Sequence, residues 1–153
     1  MATVYLGLGS NIGNKRRNLI TASALLAERA GDIPALSAIY ETEPWGFESE
    51  NSFMNSALIL ETELFPEALL EVITQIEKEL GRVEKSVKQQ YKDRVIDIDI
   101  LFYDNDVIDT QSLTIPHPLI AQRSFVLEPL MEIAPFLKHP VLNKTILELY
   151  NEL

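Results

Sequence analysis

The segment RVIDIDILFYD, residues 94–104, constrains the fold more than any other part of the sequence. Its β-branched and large apolar residues predict a buried strand, although two aspartates interrupt the run. Successive side chains of a strand point to opposite faces. One face then carries Ile96, Ile98, Ile100 and Phe102, and the other carries Val95, Asp97, Asp99, Leu101 and Tyr103. The sequence therefore predicts a sheet with one apolar, covered face and two neighbouring carboxylates on the other.

The remaining patterns predict two β-α-β units followed by further elements. The predicted strands are 2–8, 35–41, 53–62 and a short one near 107–113; the helices run from Asn14 to about Ala30, from Pro66 to Leu80 and over about 144–152, with loop and short helix between 115 and 143. Residues 82–93 are polar and aperiodic, which favours an exposed, mobile loop. This order predicts one domain over residues 1–153, an α+β, ferredoxin-like sandwich in which helices cover one face of a mostly antiparallel sheet.

Composition limits the classes of function that this chain can have. The net charge of −10 argues against non-specific binding to nucleic acid and requires local positive charge or metal at any anion site. No apolar run is long enough to cross a membrane, and residues 1–10 do not resemble a secretory signal. We therefore expect a cytoplasmic protein, and a monomer because no apolar face is left over.

The stretch GLGSNIGN at residues 7–14 has the spacing G-x-G-x-x-x-G. This is one residue too long for a dinucleotide-binding fingerprint, and no G-K-[ST] follows as in a phosphate-binding P-loop. The spacing favours a glycine-permitted turn from strand to helix over either kind of phosphate cradle.

The aspartate pair favours a metal site over two solvated charges, because aspartate is a poor strand former. Two adjacent carboxylates with few other ligands suit Mg²⁺, which completes its shell with water and substrate phosphates, and such a pair can hold two ions against a polyphosphate. Basic or hydrogen-bonding residues lie nearby in sequence: Arg82, Arg94, His117 and Arg123. Each alone is typical of a surface charge, but together they suit a polyphosphate, which arginine binds in a bidentate manner.

The strand at 53–62 places Phe53 and Asn55 on one face, opposite Met54, Leu58 and Leu60. This pattern fits either the edge of a core or a platform for a flat heterocycle, with the ring stacking and the amide binding the heterocycle's edge. The preceding loop, Thr42 to Gly46, offers backbone groups to a planar ligand, and Phe125 is a second aromatic that could close the slot.

Several of these segments together resemble the 6-hydroxymethyl-7,8-dihydropterin pyrophosphokinases of folate biosynthesis. They are GLGSNIGN, YETEPWGF, FMNSALILET, the GR at 81–82, RVIDIDILFYD and IPHPLIAQRSFVLEPL, and they extend from Tyr5 to about Pro140. Their order and spacing carry the resemblance. It implies that ATP donates its β- and γ-phosphates as a unit to the hydroxymethyl oxygen of the pterin and that AMP is released.

The resemblance also implies roles for individual residues. Asp97 and Asp99 would hold two Mg²⁺ ions. Thr42, Pro44, Trp45, Gly46, Phe53, Asn55 and Phe125 would bind the pterin; Arg82, Arg94, His117 and Arg123 would contact the phosphates as catalytic groups; and Glu77, Ile100 and Thr114 would complete the ATP site.

The sequence departs from the family pattern in places: Glu84 and then Lys85 stand where a second basic residue often follows the GR, Tyr91 where tryptophan is frequent, and Pro118 after the histidine. Two other readings remain open from the residues alone. A two-metal nuclease or phosphatase would use the aspartates but leave the Phe53, Asn55 and Phe125 set unexplained. A non-catalytic ligand-binding domain would leave the aspartate pair unexplained.

Overall fold

The computed structural model describes residues 1–42, 52–81 and 94–153. The strands are β1 (Ala2–Ser10), β2 (Asp32–Leu36), β3 (Tyr40–Thr42), β4 (Phe53–Thr62), β5 (Asp97–Tyr103), β6 (Ile108–Asp109) and β7 (Thr114–Ile115). The helices are α1 (Lys15–Arg29), α2 (Pro66–Glu79), α3 (Ser124–Ile133) and α4 (Ile146–Asn151), with a short 3₁₀ turn at Ile120–Gln122. None of the helices in these ranges is long and apolar enough to cross a membrane.

The main sheet has the strand order β2-β4-β1-β5, its pairs are antiparallel, and β3 extends it by pairing with β4. This order confirms the predicted α+β sandwich with a mostly antiparallel sheet. Because β1 lies between β4 and β5, the two segments singled out in the sequence flank the same central strand.

The predicted strand 35–41 is two strands rather than one. Leu36 pairs with Leu58, but Tyr40 pairs with Asn55, so four steps along this segment match three along β4. The Ser37 hydroxyl accepts a hydrogen bond from the Ala57 N–H at 2.9 Å, which replaces a backbone partner at the break. The predicted strand near 107–113 is instead the β6–β7 hairpin, because Thr110 turns the chain by donating its N–H to the Leu113 carbonyl at 2.9 Å.

Helices α1 and α2 cover one face of the sheet. As predicted, Asn14 caps α1, accepting the Arg17 N–H at 3.1 Å, and Pro66 begins α2. Gly31 ends α1 where the chain passes β4 so closely that a Cβ would lie 2.0 Å from the Glu61 carbonyl oxygen, which only glycine permits. The core on this face contains Val4, Leu6, Leu8, Leu19, Leu26, Leu58, Leu60, Leu69, Ile73, Ile76, Ile96, Ile98 and Ile100.

The alternation in β5 holds through Ile100 and then changes phase. Leu6 pairs with Ile100 and Tyr5 with Phe102, so Leu101 is an extra residue, a β-bulge. Leu101 and Phe102 therefore face the side opposite α1 and α2, and Tyr103 returns to the first core. The predicted facing was correct for Asp97, Asp99 and the isoleucines but wrong for Phe102 and Tyr103, because the bulge shifts the pattern by one residue.

The opposite face is half covered, whereas the sequence predicted helices on one face alone. Helices α3 and α4 pack over it with a second core of Ala57, Leu101, Phe102, Ile120, Val126, Leu127, Leu130, Ile146 and Leu149. The end of this face that carries the two aspartates is outside that core. The fold thus leaves part of one sheet face available for a site.

Candidate active site

The sheet register places the predicted site residues in two rows across β4, β1 and β5. Gly9 pairs with Asn55 on one side and Asp97 on the other. Gly7 likewise pairs with Ala57 and Asp99. Because neighbouring strands are 4.7–4.9 Å apart, the Cα atoms of Asn55 and Asp97 are roughly 10 Å apart on the same face. The amide and the carboxylates, separated by about forty residues in sequence, therefore lie on either side of one glycine-containing strand.

The two carboxylates are partly exposed on this face. The Ile98 side chain between them is buried on the other face, which fixes the direction of both aspartates. The side chain of Arg94 approaches Asp97, with Nη1 3.5 Å from Oδ1. At this distance the contact is weak.

Arg94 is held by Asn11, which the sequence analysis did not single out. Asn11 is 1% exposed; its Oδ1 accepts the Arg94 N–H at 2.6 Å, and its own N–H donates to the Arg94 carbonyl at 3.0 Å. This pair of bonds fixes the backbone immediately before β5. The bonds join residues 83 positions apart in sequence, so no local pattern announces them.

Glu77 lies beneath the aspartate pair on the helix side. This carboxylate is only 7% exposed, and its Oε2 accepts the Ile98 N–H at 2.9 Å. Since β5 is the last strand of its sheet, this N–H points away from β1 and would otherwise lack a ladder partner. The structure therefore brings Glu77 to the outer edge of β5, between the positions of the two aspartates.

His117 reaches the site along the same edge. Its backbone N–H donates to the Leu101 carbonyl at 3.0 Å, and its ring Nδ1 accepts the Leu119 N–H at 3.3 Å. Nε2 is then the nitrogen that carries hydrogen in the neutral ring. Burial lowers the pKa of His117, and the charge of Asp97 opposes that shift. The histidine thus lies within the field of the aspartate and offers a neutral N–H donor at neutral pH.

Arg123, which directly precedes α3, is 5% exposed, and burial lowers the pKa of its guanidinium. Its Cζ lies 5.6 Å from the centroid of the Phe125 ring, within range of a cation–π contact. The two residues are therefore adjacent, so a phosphate group and an aromatic ligand bound by them would also be neighbours.

Of the remaining predicted ATP residues, Thr114 is exposed on β7, which packs beside β5. The Ile100 side chain is buried in the helix-side core. Any contact between Ile100 and a nucleotide would therefore use the backbone at the edge of β5.

Three of the predicted pterin residues, Thr42, Phe53 and Asn55, lie together at one end of the face. Asn55 is 5% exposed and donates from Nδ2 to Thr42 Oγ1 at 2.8 Å, while Thr42 pairs with Phe53 in the sheet. Phe53 is half-buried on the same face. Phe125 is in the first turn of α3, which packs against β3 and β4. These contacts place an amide and an aromatic ring at one end of the face, and Phe125 is on the helix that packs against the same strands.

A carboxylate from α3 fixes the chain that leads to Thr42. Glu132 accepts the Ala38 N–H at 3.0 Å and the Tyr40 hydroxyl at 2.7 Å. The hydrogen bond to Glu132, together with burial and the carboxylate's charge, raises the pKa of Tyr40 to about 12. Helix α3 thus supplies Phe125 and also fixes, through Glu132, the position of the strand that carries Thr42.

Some predicted residues lie outside the described ranges. They are Pro44, Trp45, Gly46 and Arg82, together with the predicted loop 82–93 and the departures Glu84, Lys85 and Tyr91. Pro118, by contrast, is described and is exposed beside His117.

The donor set fits Mg²⁺. Within residues 1–42, 52–81 and 94–153 no group of three or more acidic, histidine or cysteine side chains could enclose a metal ion. Two carboxylates on an open face are instead the arrangement in which Mg²⁺ keeps water ligands and takes oxygens from a polyphosphate.

Comparison with known proteins points to one family. A family model described as 7,8-dihydro-6-hydroxymethylpterin-pyrophosphokinase (HPPK) matches residues 5–135. A 2-amino-4-hydroxy-6-hydroxymethyldihydropteridine pyrophosphokinase from Porphyromonas gingivalis is 47% identical over 141 residues, 92% of this chain and 95% of that protein. Its counterpart from Aquifex aeolicus is 43% identical over 148 residues, 97% and 90% of the two chains.

A solved structure shows the same fold. The crystal structure of a Plasmodium falciparum HPPK-DHPS triple mutant matches with a TM-score of 0.80 at 21% identity. The match covers 99% of this chain and 44% of that one, so this chain spans less than half of the solved protein.

Proposed function

This chain belongs to the 7,8-dihydro-6-hydroxymethylpterin-pyrophosphokinase family, and we propose that the open sheet face around Asp97 and Asp99 is where it works. The protein transfers pyrophosphate from ATP to the hydroxymethyl group of 6-hydroxymethyl-7,8-dihydropterin, with release of AMP, in folate biosynthesis. We further propose which residues perform the transfer, which metal they bind and that the protein is a monomer.

One observation carries the assignment of the site: Asn55, Gly9 and Asp97 are paired in one row across three strands. The reaction needs a heterocycle and a triphosphate side by side on one surface, because transfer depends chiefly on positioning and charge neutralisation. Asn55 and Phe53 bind and orient the pterin at the β4 side of this row. The carboxylates on the β5 side would bind the nucleotide as its magnesium complex.

Asp97 and Asp99 would hold two Mg²⁺ ions, which would supply neutralisation of the triphosphate charge and a more acidic hydroxymethyl group. Arg94, His117 and Arg123 contact phosphate oxygens, together with Arg82. The His117 Nε2–H and the Arg123 guanidinium are partly or largely removed from water, so their hydrogen bonds to phosphate are stronger than at an exposed surface.

Glu77 and Ile100 form the outer edge of the nucleotide site, with Thr114 on β7 beside it. Glu77 acts through the backbone, because its carboxylate fixes the Ile98 N–H between the two aspartates. Pro44, Trp45 and Gly46 complete the pterin site through their backbone.

Product analysis tests the function. The protein is incubated with ATP, Mg²⁺ and 6-hydroxymethyl-7,8-dihydropterin, and the nucleotides and pterins are separated by chromatography. We expect AMP and the pterin diphosphate in equal amounts, no turnover with excess EDTA, and recovery with added Mg²⁺. Formation of ADP and a pterin monophosphate would indicate an ordinary kinase, and release of inorganic phosphate would indicate a phosphatase. Full turnover in EDTA would contradict the metal assignment.

We also propose that the protein is a monomer with one site. Three of the large exposed apolar residues of the described chain, Phe65, Val107 and Phe136, lie in different segments of the sequence, and single exposed apolar residues are normal on a monomer. Light scattering at micromolar concentration should give the mass of one 17.3 kDa chain. A mass twice as large, independent of salt, would contradict the monomer.

A further inference from the structure

The stretch GLGSNIGN, which fits no phosphate-binding motif, contributes Gly9 to the floor of the site. Gly9 lies in β1 between Asn55 of β4 and Asp97 of β5. Side chains at odd positions of β1 point to the open face, so a side chain at position 9 would project between the amide and the carboxylate.

A side chain at this position would collide with the amide. An ideal Cβ on Gly9 would lie 3.0 Å from Asn55 Oδ1 and 3.6 Å from Phe53 Cδ1. The first distance is tighter than nine in ten contacts that a Cβ makes, so the amide would have to shift by a few tenths of an ångström, whereas the second is ordinary van der Waals contact. The carboxamide of Asn55 therefore leans over β1 into space that exists only because residue 9 is glycine.

Asn55 has little freedom to move away. It is 5% exposed, and its Nδ2 donates to Thr42 Oγ1 at 2.8 Å. Rotating the amide to relieve contact with a methyl group would break this bond or leave a buried polar atom without a partner, which costs more than a typical hydrogen bond contributes.

We propose that Gly9 is a positioning residue for pterin recognition, in that the absence of a side chain sets the orientation of the Asn55 carboxamide against the heterocycle. This inference rests on the proposed role of Asn55 in the pterin site. It implies that substitution at Gly9 acts on pterin binding through Asn55 and leaves the nucleotide site intact.

Gly9→Ala and Gly7→Ala form a matched pair for the test. Both add one methyl group to the same face of the same strand, with the same effect on the flexibility of the unfolded chain. A Cβ on Gly7, however, would meet Leu101 Cδ1 at 3.3 Å, the end of an adaptable side chain, and not Asn55. Calorimetry with the pterin alone and with a non-hydrolysable ATP analogue plus Mg²⁺ gives each affinity separately.

We expect Gly9→Ala to weaken pterin binding about tenfold, as for loss of one well-placed hydrogen bond, with nucleotide affinity unchanged. Gly7→Ala should keep both affinities within about twofold of the wild type. Unchanged pterin affinity in Gly9→Ala, or equal losses in both variants, would overturn the proposal.

A double-mutant cycle with Asn55→Ala shows whether the effect passes through the amide. We expect Gly9→Ala to cost pterin affinity in the wild-type background and almost none in the Asn55→Ala background. Equal losses in the two backgrounds would overturn the positioning role. If Asn55→Ala itself leaves pterin affinity unchanged, the assignment of Asn55 fails, and with it this inference, while wild-type formation of AMP would still support the function.

Discussion

One face of the sheet is packed beneath α1 and α2, whereas the other is only half covered and carries glycine, amide and carboxylate groups at its free end. The same three strands supply both faces. In β5 the buried Ile98 stands between Asp97 and Asp99, which point the opposite way. In β5, residues that stabilise the fold alternate with residues proposed for the reaction. Neighbouring positions in the sequence therefore have different roles.

The comparison also concerns energy. The apolar face gains free energy from every buried methylene, but the open face places two like charges on the same strand without helical cover. A site of this kind is expected to lower stability in return for activity. Substitutions on the two faces should therefore affect turnover and the free energy of unfolding in opposite ways.

Asp97→Asn and Asp99→Asn should each reduce turnover by orders of magnitude, because losing a metal-binding charge removes several kcal/mol of transition-state stabilisation. The free energy of unfolding should stay the same or rise, since repulsion between the carboxylates is relieved. AMP formation at millimolar Mg²⁺ and urea unfolding of the same samples provide the two measurements. Near-normal turnover in either variant would refute the metal assignment.

Ile98→Ala changes the residue between those aspartates and should show the reverse pattern. Truncating this buried isoleucine to alanine costs about 2–5 kcal/mol of unfolding free energy, while the carboxylates remain in place. Turnover at a temperature where the variant is folded should stay within a few-fold of the wild type. Ile98→Val is the matched control, with an expected cost of about 0.5–1.5 kcal/mol. A cost below that of the control would show that the two faces do not divide the roles as described.

Phe125→Ala changes a residue at the boundary between the covered and the open part of the second face, because Phe125 packs against the second core and is proposed to line the pterin slot. We expect pterin affinity to fall by roughly 1–3 kcal/mol, as for loss of a stacking partner, with nucleotide affinity nearly unchanged. Separate calorimetric titrations of the two ligands decide the matter. Equal losses would mean that Phe125 only packs in the core.

The smallest expected effect comes from His139, a buried residue of the second face away from the site. Its Nδ1 accepts the N–H groups of Val141 and Leu142 at 3.1 and 3.0 Å, and its ring meets Phe102 edge-on. Burial lowers the pKa of His139 below the usual 6.5. The stability from its neutral form is therefore complete above about pH 6.5 and is lost as the pH falls through the lowered pKa.

His139→Asn keeps an acceptor for both N–H groups but cannot take up a proton in this range. The slope of unfolding free energy against pH should therefore become shallower below pH 6.5, by at most about 1.4 kcal/mol per pH unit, the value for one proton. Urea titrations at pH 7.5, 6 and 5 measure the slope for both proteins. The remaining acid sensitivity should include His117, whose pKa burial also lowers. An unchanged slope would contradict the linkage to His139.

The sequence predicted much of this arrangement because strand alternation is a local rule. It placed Asp97 and Asp99 opposite the isoleucines and Asn55 opposite Leu58, and the structure agrees. It failed at Phe102 and Tyr103, because a bulge is defined by the partner strand and leaves no local mark. The predicted loop and short helix between 115 and 143 agrees with α3 at Ser124–Ile133, although the sequence did not give its bounds.

Two contributions to the site depended on long-range contacts. Periodicity placed Glu77 on a helix but gave no reason for its burial, which follows from its bond to an edge N–H of β5. Asn11 had no predicted role, because its partner is the backbone of Arg94. The resemblance to a family supplied Glu77, whereas Asn11 emerged only from the structure.

The bulge at Leu101 has a consequence for how the gene can vary. Deleting that codon would restore simple alternation in β5 and leave Phe102 and Tyr103 on the faces they now occupy, although the buried Leu101 side chain would be lost from the second core. Replacing Leu101 by a similar apolar residue would leave the phase intact. Deleting Ile98, where β5 alternates regularly, would instead turn one of the two aspartates onto the opposite face, so this part of the gene accommodates a change of length at the bulge better than beside it.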